Sequence, residues 1–306
     1  FLTGPTAGGK SAVGLALAPL LGAEIVALDS MTLYRGMDIG TAKPSADDRA
    51  AVAHHLVDLL DPAEEFSQAE YAAAARGAVD DILARGKTPL FVGGTPLYLK
   101  TLLRGMFEGP PPDWEFRRSL ADEARRESPD WLHRRVAEFD PAAAAKLHPN
   151  DERRLIRAWE VFRATGTPIS EHQRHFDRPN ESVRGRVFLL DRPRDELYRR
   201  IDARVEAMFA AGLVDEVRRL TATPRSLGRT ARKALGYREV LEFLDSPGPG
   251  GMSKVVDDVR THTRQFAKRQ LTWFRSLPEC ERIEISGEPA PLRVAQSLYA
   301  RLCRRT

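Results

Sequence analysis

The first eleven residues of this chain contain the feature that most constrains its fold. The segment Gly4-Pro5-Thr6-Ala7-Gly8-Gly9-Lys10-Ser11 matches the phosphate-loop pattern G-x-x-x-x-G-K-[ST] at every position. An apolar stub, Phe1 and Leu2, precedes the loop, and a helical pattern of apolar residues follows it. Because such a loop connects a buried strand to a helix, it predicts an α/β fold with a parallel sheet flanked by helices.

Each part of this loop has a chemical reason to bind a phosphorylated ligand. Glycines let backbone N–H groups converge on an anion at the N-terminus of a helix, where the helix dipole favours negative charge. Lys10 adds a positive charge for the terminal phosphate, and the hydroxyl of Ser11 is placed to hold Mg²⁺. The loop therefore predicts a ligand that carries a diphosphate or a triphosphate.

Composition limits the remaining possibilities. The chain has 306 residues, of which 42% are hydrophobic and 29% charged, as is typical of a globular protein with a sizeable core. No apolar run approaches the roughly 20 residues that cross a bilayer, so we expect no membrane contact. Cys280 and Cys303 lack metal-binding spacing and predict free thiols in a reducing cytoplasm. Phe1 is not an initiating methionine, so we expect a short segment before it.

Charge is distributed unevenly along the chain. Residues 1–109 carry 9 Lys and Arg against 13 Asp and Glu, and residues 110–180 carry 13 of each. Residues 181–306 carry 25 against 17. A basic C-terminal part suggests a polyanionic partner, although an ordinary arginine-rich surface is an equal alternative.

Two predicted strands end in residues that suit a ligand site. Ala23–Leu28 reads as a buried strand and ends at Asp29, where parallel sheets bind their ligands. Asp29 has three candidate roles, as a magnesium ligand, a general base or a helix cap. Another strand ends in Gly93-Gly94-Thr95, where a nucleotide hydrolase has an acid. This ending argues against a motor or switch NTPase and favours group transfer, with small residues that allow a ligand to approach the backbone.

The predicted secondary-structure pattern changes at Gly109-Pro110-Pro111-Pro112. Residues 113–178 predict successive helices without convincing strands, and the strand pattern resumes at Val187. The predicted helices are Trp114–Glu127, Trp131–Phe139, Pro141–Leu147 and Asp151–Thr165. The sequence therefore predicts a P-loop core of residues 1–109 and 181–306, interrupted by an all-helical insertion domain of residues 110–180.

Arg204 occupies an unusual position in the predicted helix 195–210. It shares the apolar face of Leu197, Ile201 and Val205. A guanidinium there is costly unless it is paired, so Arg204 either meets a buried carboxylate or points into a site that holds anionic oxygen. We favour the site.

The basic segment 229–238 and the predicted final helix 253–277 both interleave cations with aromatic residues. Arg260, Arg264, Lys268 and Arg275 lie along one edge of this helix, and Phe266, Gln270 and Trp273 lie along another. Such patterns suit phosphate contacts and base stacking, and a solvated helix face is the alternative.

Seven stretches together resemble one family, the tRNA dimethylallyltransferases, also called tRNA isopentenyltransferases. They are GPTAGGKS at 4–11, DSMTLYRGMDIGTAKP at 29–44, FVGGTPLYLKTLL at 91–103, HPNDERRLIRAWEVF at 148–162, the helix around Arg204, ARKALGYRE at 231–239 and AKRQLTWFR at 267–275. The resemblance runs nearly end to end. The stretches at 29–44 and 267–275 are far more specific than the phosphate loop alone.

The resemblance implies a reaction. In this family the dimethylallyl group of dimethylallyl diphosphate is transferred to the N6 amine of the adenosine immediately 3′ of the anticodon, position 37 of tRNA, and diphosphate is released. It implies that Lys10, Ser11, Thr95 and Arg204 hold the diphosphate with Mg²⁺. It also implies that Asp29 accepts the proton of the amine.

The resemblance further implies the partners. They are the tRNA anticodon stem-loop, with its target base turned out of the stack, and dimethylallyl diphosphate, bound by a monomer. The implied tRNA contacts are Asp29, Ser30, Met31, Thr32, Arg117, Arg153, Arg154, Arg157, Arg232, Lys233, Gly236, Tyr237, Arg238, Lys268, Arg269, Gln270, Trp273 and Arg275. Thr32 stands where the family often has glutamine.

Three other functions are weighed against this one. A P-loop kinase of a small metabolite would explain the first hundred residues but needs no basic C-terminal part. An isopentenyltransferase of free adenine nucleotides needs neither the helical insertion nor the basic final helix. An RNA-binding protein with a vestigial phosphate loop would not need an intact Lys10, Ser11 and Asp29.

Overall fold

The computed structural model describes residues 1–107, 109–174, 178, 186–223 and 225–304. The strands in this part of the chain are β1 (Leu2–Thr3), β2 (Ala23–Ala27), β3 (His54–His55), β4 (Thr88–Gly93), β5 (Val187–Asp191) and β6 (Cys280–Glu284). They form one parallel sheet in the order β3-β2-β4-β1-β5-β6. The predicted parallel α/β fold is confirmed.

Helices follow or connect these strands. They are α1 (Lys10–Leu21), α2 (Ala46–Ala51), α3 (Gln68–Ala84), α4 (Pro96–Arg104), α5 (Trp114–Ala124), α6 (Trp131–Phe139), α7 (Pro141–Ala144), α8 (Glu152–Thr165), α9 (Ile169–His172), α10 (Arg194–Ala210), α11 (Leu213–Thr221), α12 (Arg229–Arg232), α13 (Tyr237–Asp245), α14 (Gly251–Arg275) and α15 (Pro291–Cys303). Among the residues described, no helix is both long and apolar enough to span a bilayer.

The strands are apolar at successive positions because both faces of the sheet are covered. Ile25 packs into the cluster on one face and its neighbour Val26 into the cluster on the other. Leu90 likewise packs into the same cluster as Ile25, and Phe91 packs into the same cluster as Val26. Since successive side chains in a strand point to opposite faces, this alternation places hydrophobic residues in two separate cores.

The chain divides into two compact units, one of residues 1–103 and 180–306 and the other of residues 104–179. The smaller unit contains α5 to α9, and its described residues include no strand. Its core is built on Leu120, Leu132, Val136 and Leu155. The sequence predicts that this block begins at residue 110, and the structural division lies six residues earlier, at Arg104.

The order of the strands determines where a site can form. Four neighbouring strands, β2, β4, β1 and β5, end at the same edge of the sheet. The phosphate loop follows β1, Asp29 follows β2, Gly94 and Thr95 follow β4, and Arg192 follows β5. Ligands of open parallel sheets bind at this edge.

Candidate active site

A cleft of about 440 Å³ opens at this edge within the larger unit. Its walls come from the phosphate loop, the turn after β2, the tip of β4, the segment before α13, and helices α10 and α14. The predicted site residues that line it are Thr6, Lys10, Ser11, Asp29, Ser30, Met31, Thr32, Thr95, Arg204, Lys233, Gly236, Tyr237, Arg238, Arg269 and Gln270. The fold thus brings residues from both ends of the chain to one place.

Two glycines with positive φ shape the phosphate loop. Gly4 has a φ of 151°, and a Cβ there would lie 2.7 Å from the carbonyl oxygen of Leu190. Gly9 has a φ of 97° and directly precedes α1. The Nζ of Lys10 donates to the carbonyl of Pro5 at 2.7 Å. Glycine is therefore required where the loop passes β5 and where α1 begins.

Two arginines that the sequence analysis did not single out bind this loop. Arg192 Nε donates to the carbonyl of Gly8 at 3.3 Å, and Arg200 Nε donates to that of Ala7 at 2.9 Å. Arg192 directly follows β5, and Arg200 lies one turn before Arg204 on α10. A cation directly after a strand, or on the same helix face as Arg204, is the signal that could have identified them.

Three charged side chains interact in the cleft. Desolvation of the Lys10 ammonium and the nearby Arg204 together lower its pKa to about 8, and Asp29 opposes this shift. Burial also lowers the pKa of Arg204, again opposed by Asp29. Arg204 lines the cleft, which is the alternative that the sequence favours. Its interaction with Asp29 is a charge attraction without an ion pair among the described residues. Two cations against one carboxylate leave positive charge for an anionic ligand.

Asp29 is oriented by the turn that follows it. Its Oδ1 accepts the N–H of Met31 at 2.8 Å and that of Thr32 at 3.4 Å. Its Oδ2 has no hydrogen bond within the described part of the chain. The carboxylate therefore caps the local backbone with one oxygen and offers the other to a ligand.

The next residues along this wall also have free hydrogen-bonding capacity. Thr95 accepts the N–H of Ser30 with its Oγ1 at 3.2 Å, which leaves the hydroxyl proton available for donation. The Oγ1 of Thr32 is buried, and among the described residues it has no hydrogen-bond partner. Both hydroxyls lie in the lining of the cleft.

The glycines before Thr95 are also required by packing. A Cβ on Gly93 would overlap the backbone of Leu28, directly after the neighbouring strand β2, and one on Gly94 would lie 2.7 Å from the Nε2 of Gln270. Close approach of the protein itself therefore requires small residues at both positions, and close approach of a ligand stays a prediction.

Gln270 has a structural role in addition to its predicted tRNA contact, which stays a prediction. It is buried, its Oε1 accepts the N–H of Thr6 at 2.8 Å, and its Nε2 donates to the carbonyl of Gly94 at 2.5 Å. Both ends of the amide are engaged by backbone. Gln270 therefore links the phosphate loop to the tip of β4.

Tyr237 and Gly236 also have structural roles. The Tyr237 side chain is fully buried, and its hydroxyl donates to Glu216 Oε1 at 2.5 Å, so its ring is not exposed for base stacking. Gly236 has a φ of 85°, and its N–H donates to Glu239 Oε2 at 2.8 Å. These two residues shape the segment before α13, and their contact with tRNA stays a prediction.

The remaining predicted cations of the larger unit fall into two groups. Arg232, Arg238 and Arg275 are paired with Asp245, Glu239 and Asp191 at 3.7, 2.5 and 2.8 Å. The other group is exposed and consists of Lys233, Lys268 and Arg269, with Trp273 beside them on α14. This second group is better placed to bind a polyanion.

The four predicted tRNA contacts in the smaller unit also divide into arginines with a carboxylate partner and exposed arginines. Arg117 donates twice to the buried Glu160, both at 2.8 Å, and Arg157 also pairs with Glu160. Arg153 and Arg154 are exposed on α8. Arg117 and Arg157 thus neutralise a buried carboxylate, and tRNA binding by these four arginines stays a prediction.

Comparisons with known proteins identify the family of this chain. The family model described as IPP transferase matches residues 32–277. The tRNA dimethylallyltransferase of Rhodopirellula baltica is 48% identical over 289 residues, which cover 91% of this chain and 85% of that protein. The resemblance inferred from the sequence is confirmed.

Solved structures of tRNA isopentenyltransferases and dimethylallyltransferases also match this chain. The crystal structure of the full-length tRNA isopentenylpyrophosphate transferase from Bacillus halodurans matches with a TM-score of 0.71 and 33% identity, covering 99% of this chain and 96% of that one. A eukaryotic dimethylallyltransferase, captured in crystallographic snapshots acting on tRNA, matches with a TM-score of 0.75 and 27% identity, covering 92% and 72%. This chain therefore belongs to the IPP transferase family, the family of the tRNA dimethylallyltransferases.

Proposed function

We propose that this chain transfers the dimethylallyl group of dimethylallyl diphosphate to the N6 amine of the adenosine immediately 3′ of the anticodon in tRNA. The bond from the allylic carbon to the diphosphate oxygen breaks, a carbon–nitrogen bond forms, and diphosphate leaves. One observation carries the proposal: a phosphate loop, a second cation and a carboxylate with one free oxygen line a single cleft.

The donor half of the cleft suits a short apolar diphosphate ester. Lys10, Arg204 and the hydroxyl proton of Thr95 would stabilise the charge that develops on the leaving diphosphate. Val205 and Phe266 contribute apolar surface to the same cleft. A cationic end beside an apolar wall matches the two halves of a prenyl diphosphate.

The acceptor half of the proposal assigns Asp29 as the general base. The free Oδ2 would take the proton that the N6 amine loses as it attacks the allylic carbon. The exposed Lys233, Lys268 and Arg269 would bind the tRNA backbone around the target base. Because one chain supplies all of these groups, we expect a monomer to be active. We also expect it to act on tRNA in the cytoplasm.

Mg²⁺ belongs to the proposal, and the residues present fit it. Ser11 is exposed at the start of α1 and lines the cleft. The described residues contain no cluster of three His, Cys, Asp or Glu that could hold a metal ion. Mg²⁺ is commonly held by few protein ligands together with phosphate oxygens and water, so Ser11 and a diphosphate would suffice. When bound, it would neutralise charge on the diphosphate.

A transfer assay tests this proposal. The protein, Mg²⁺ and dimethylallyl diphosphate labelled in its prenyl group are incubated with unmodified tRNA, with AMP and ATP as competing acceptors. We expect label in tRNA alone. Label in AMP or ATP alone would assign the chain to the free-nucleotide reaction, and ATP consumption without prenyl transfer would favour a kinase.

A further inference from the structure

The loop 38–40 is bound by a buried carboxylate that the proposed reaction does not use. Glu216, on α11, is 2% exposed. Its Oε2 accepts the N–H of Asp38 at 3.1 Å and that of Ile39 at 2.9 Å, and its Oε1 lies 3.4 Å from the N–H of Gly40. Three successive backbone donors therefore converge on one side chain.

The same carboxylate also binds the opposite wall of the cleft. Its Oε1 accepts the hydroxyl of Tyr237 at 2.5 Å. Burial and this hydrogen bond both raise the pKa of Tyr237, so the phenol remains a donor at any physiological pH. Within the described residues Glu216 forms no ion pair. Its negative charge is thus stabilised by neutral donors from two separate segments, which is a costly arrangement unless every donor stays in place.

The two segments held by Glu216 both line the active-site cleft. Gly40 to Pro44 form one part of its lining and Lys233 to Arg238 form another. Gly40 lies against the Tyr237 ring so closely that a Cβ there would overlap the ring. The loop is further held by Lys43, whose Nζ lies 2.6 Å from both Asp38 Oδ1 and Asp58 Oδ1.

We propose that Glu216 is a positioning residue that sets the spacing between the loop 38–44 and the segment 233–238, and so controls use of the RNA acceptor. The phosphate loop is held by other contacts, from Lys10 and Arg200, so we expect use of the prenyl donor not to depend on Glu216. This inference rests on the proposed function for the identity of the acceptor.

The test compares Glu216→Gln with the wild type in kinetics that vary tRNA and dimethylallyl diphosphate separately. The glutamine amide has one acceptor oxygen and turns an NH₂ group toward donors, so some of the hydrogen bonds that Glu216 accepts must break. We expect the KM for tRNA to rise by about tenfold, as for the loss of hydrogen bonds to a charged group. The KM for the donor should stay within about twofold.

Two further variants keep the test decisive. Tyr237→Phe removes one donor and leaves the carboxylate in place, so it should shift the KM for tRNA in the same direction and by less. Glu24→Gln is the matched control, because Glu24 pairs with Arg85 and His55, none of which lines the cleft, and should lower stability without changing either KM.

Equal changes in both KM values, or a lower melting temperature with both KM values unchanged, would overturn the inference. Direct tRNA binding by the same variants separates this outcome from a failure of the proposed reaction. If the wild type binds tRNA but transfers no prenyl group, a tenfold weaker tRNA affinity of Glu216→Gln would still support the positioning role. Unchanged tRNA affinity would refute it.

Discussion

At the scale of single residues, the chemistry depends on three charges that alter one another. Lys10 and Arg204 both lose part of their basicity through burial, and Asp29 restores some of it. An anionic ligand would stabilise both cations further, because it supplies the missing negative charge. The cleft is therefore electrostatically suited to a diphosphate before any RNA binds.

The pKa of Lys10 predicts how donor use depends on pH. Because this pKa is lowered to about 8, the ammonium is charged at pH 7 and loses its charge as the pH rises through 8. We expect kcat/KM for the donor, which reports the free enzyme, to fall above pH 8. Lys10→Arg should remove this decline because a guanidinium stays charged. A flat wild-type profile up to about pH 10, near the ordinary lysine pKa, would show that the Lys10 charge is not needed for donor binding.

Asp29→Asn separates catalysis from local structure. The asparagine Oδ1 can still accept the N–H of Met31, so the turn after β2 should be kept while the base is lost. We expect kcat to fall by about 10²- to 10⁴-fold, and tRNA affinity to stay within about twofold, as is typical for loss of a general base. Weakened tRNA binding with an unchanged kcat would make Asp29 a recognition residue.

At the scale of secondary-structure elements, α14 has two distinct faces. Its inner face presents Gln270 to the phosphate loop and to the tip of β4. Its outer face presents Lys268, Arg269 and Trp273. One helix therefore connects the donor site with the surface proposed for tRNA.

Gln270→Leu tests the inner face. It would leave the N–H of Thr6 and the carbonyl of Gly94 without partners, at a cost of about 1–3 kcal/mol for each group. We expect a lower melting temperature and a higher KM for dimethylallyl diphosphate. Gln265→Leu is the matched control because Gln265 is exposed on the same helix. Equal effects of the two substitutions would contradict the bridging role.

Arg269→Ala and Arg264→Ala form a matched pair on the outer face. Arg269 is exposed, whereas the Nε of Arg264 already donates to Asp202 Oδ1 at 3.0 Å. We expect Arg269→Ala to reduce the slope of log affinity for tRNA against log salt by about 0.7–0.9, the value for one phosphate contact. Arg264→Ala should change it less. A larger change in this slope for Arg264→Ala than for Arg269→Ala would show that Arg264 exchanges its carboxylate for a phosphate.

At the scale of the whole molecule, local patterns predicted four of the six described strands, β1, β2, β4 and β5, and the positions of their ends. The phosphate loop and the strand before Asp29 each depend on neighbours in sequence, and both are confirmed. Because the strands are parallel, their carboxyl ends meet at one edge of the sheet, and this predicts where the site lies.

Distant contacts could not be predicted in this way. Gln270 and Tyr237 lie in basic, aromatic segments that resemble an RNA-binding surface, and both are buried by partners elsewhere in the chain. Arg192 and Arg200 reach back to a loop at the opposite end of the sequence. The identity of such partners depends on tertiary packing, for which periodicity and charge give no signal.

The central claim is that the cleft joins a prenyl diphosphate to one adenosine of tRNA. The most direct measurement is mass spectrometry of nucleosides and of nuclease fragments from tRNA incubated with the protein, Mg²⁺ and dimethylallyl diphosphate. A tRNA with guanosine in place of the adenosine immediately 3′ of the anticodon serves as the control. We predict N6-dimethylallyl adenosine at that position alone, and none in the control tRNA. Prenyl groups at another nucleotide, or equal modification of the control, would contradict the account.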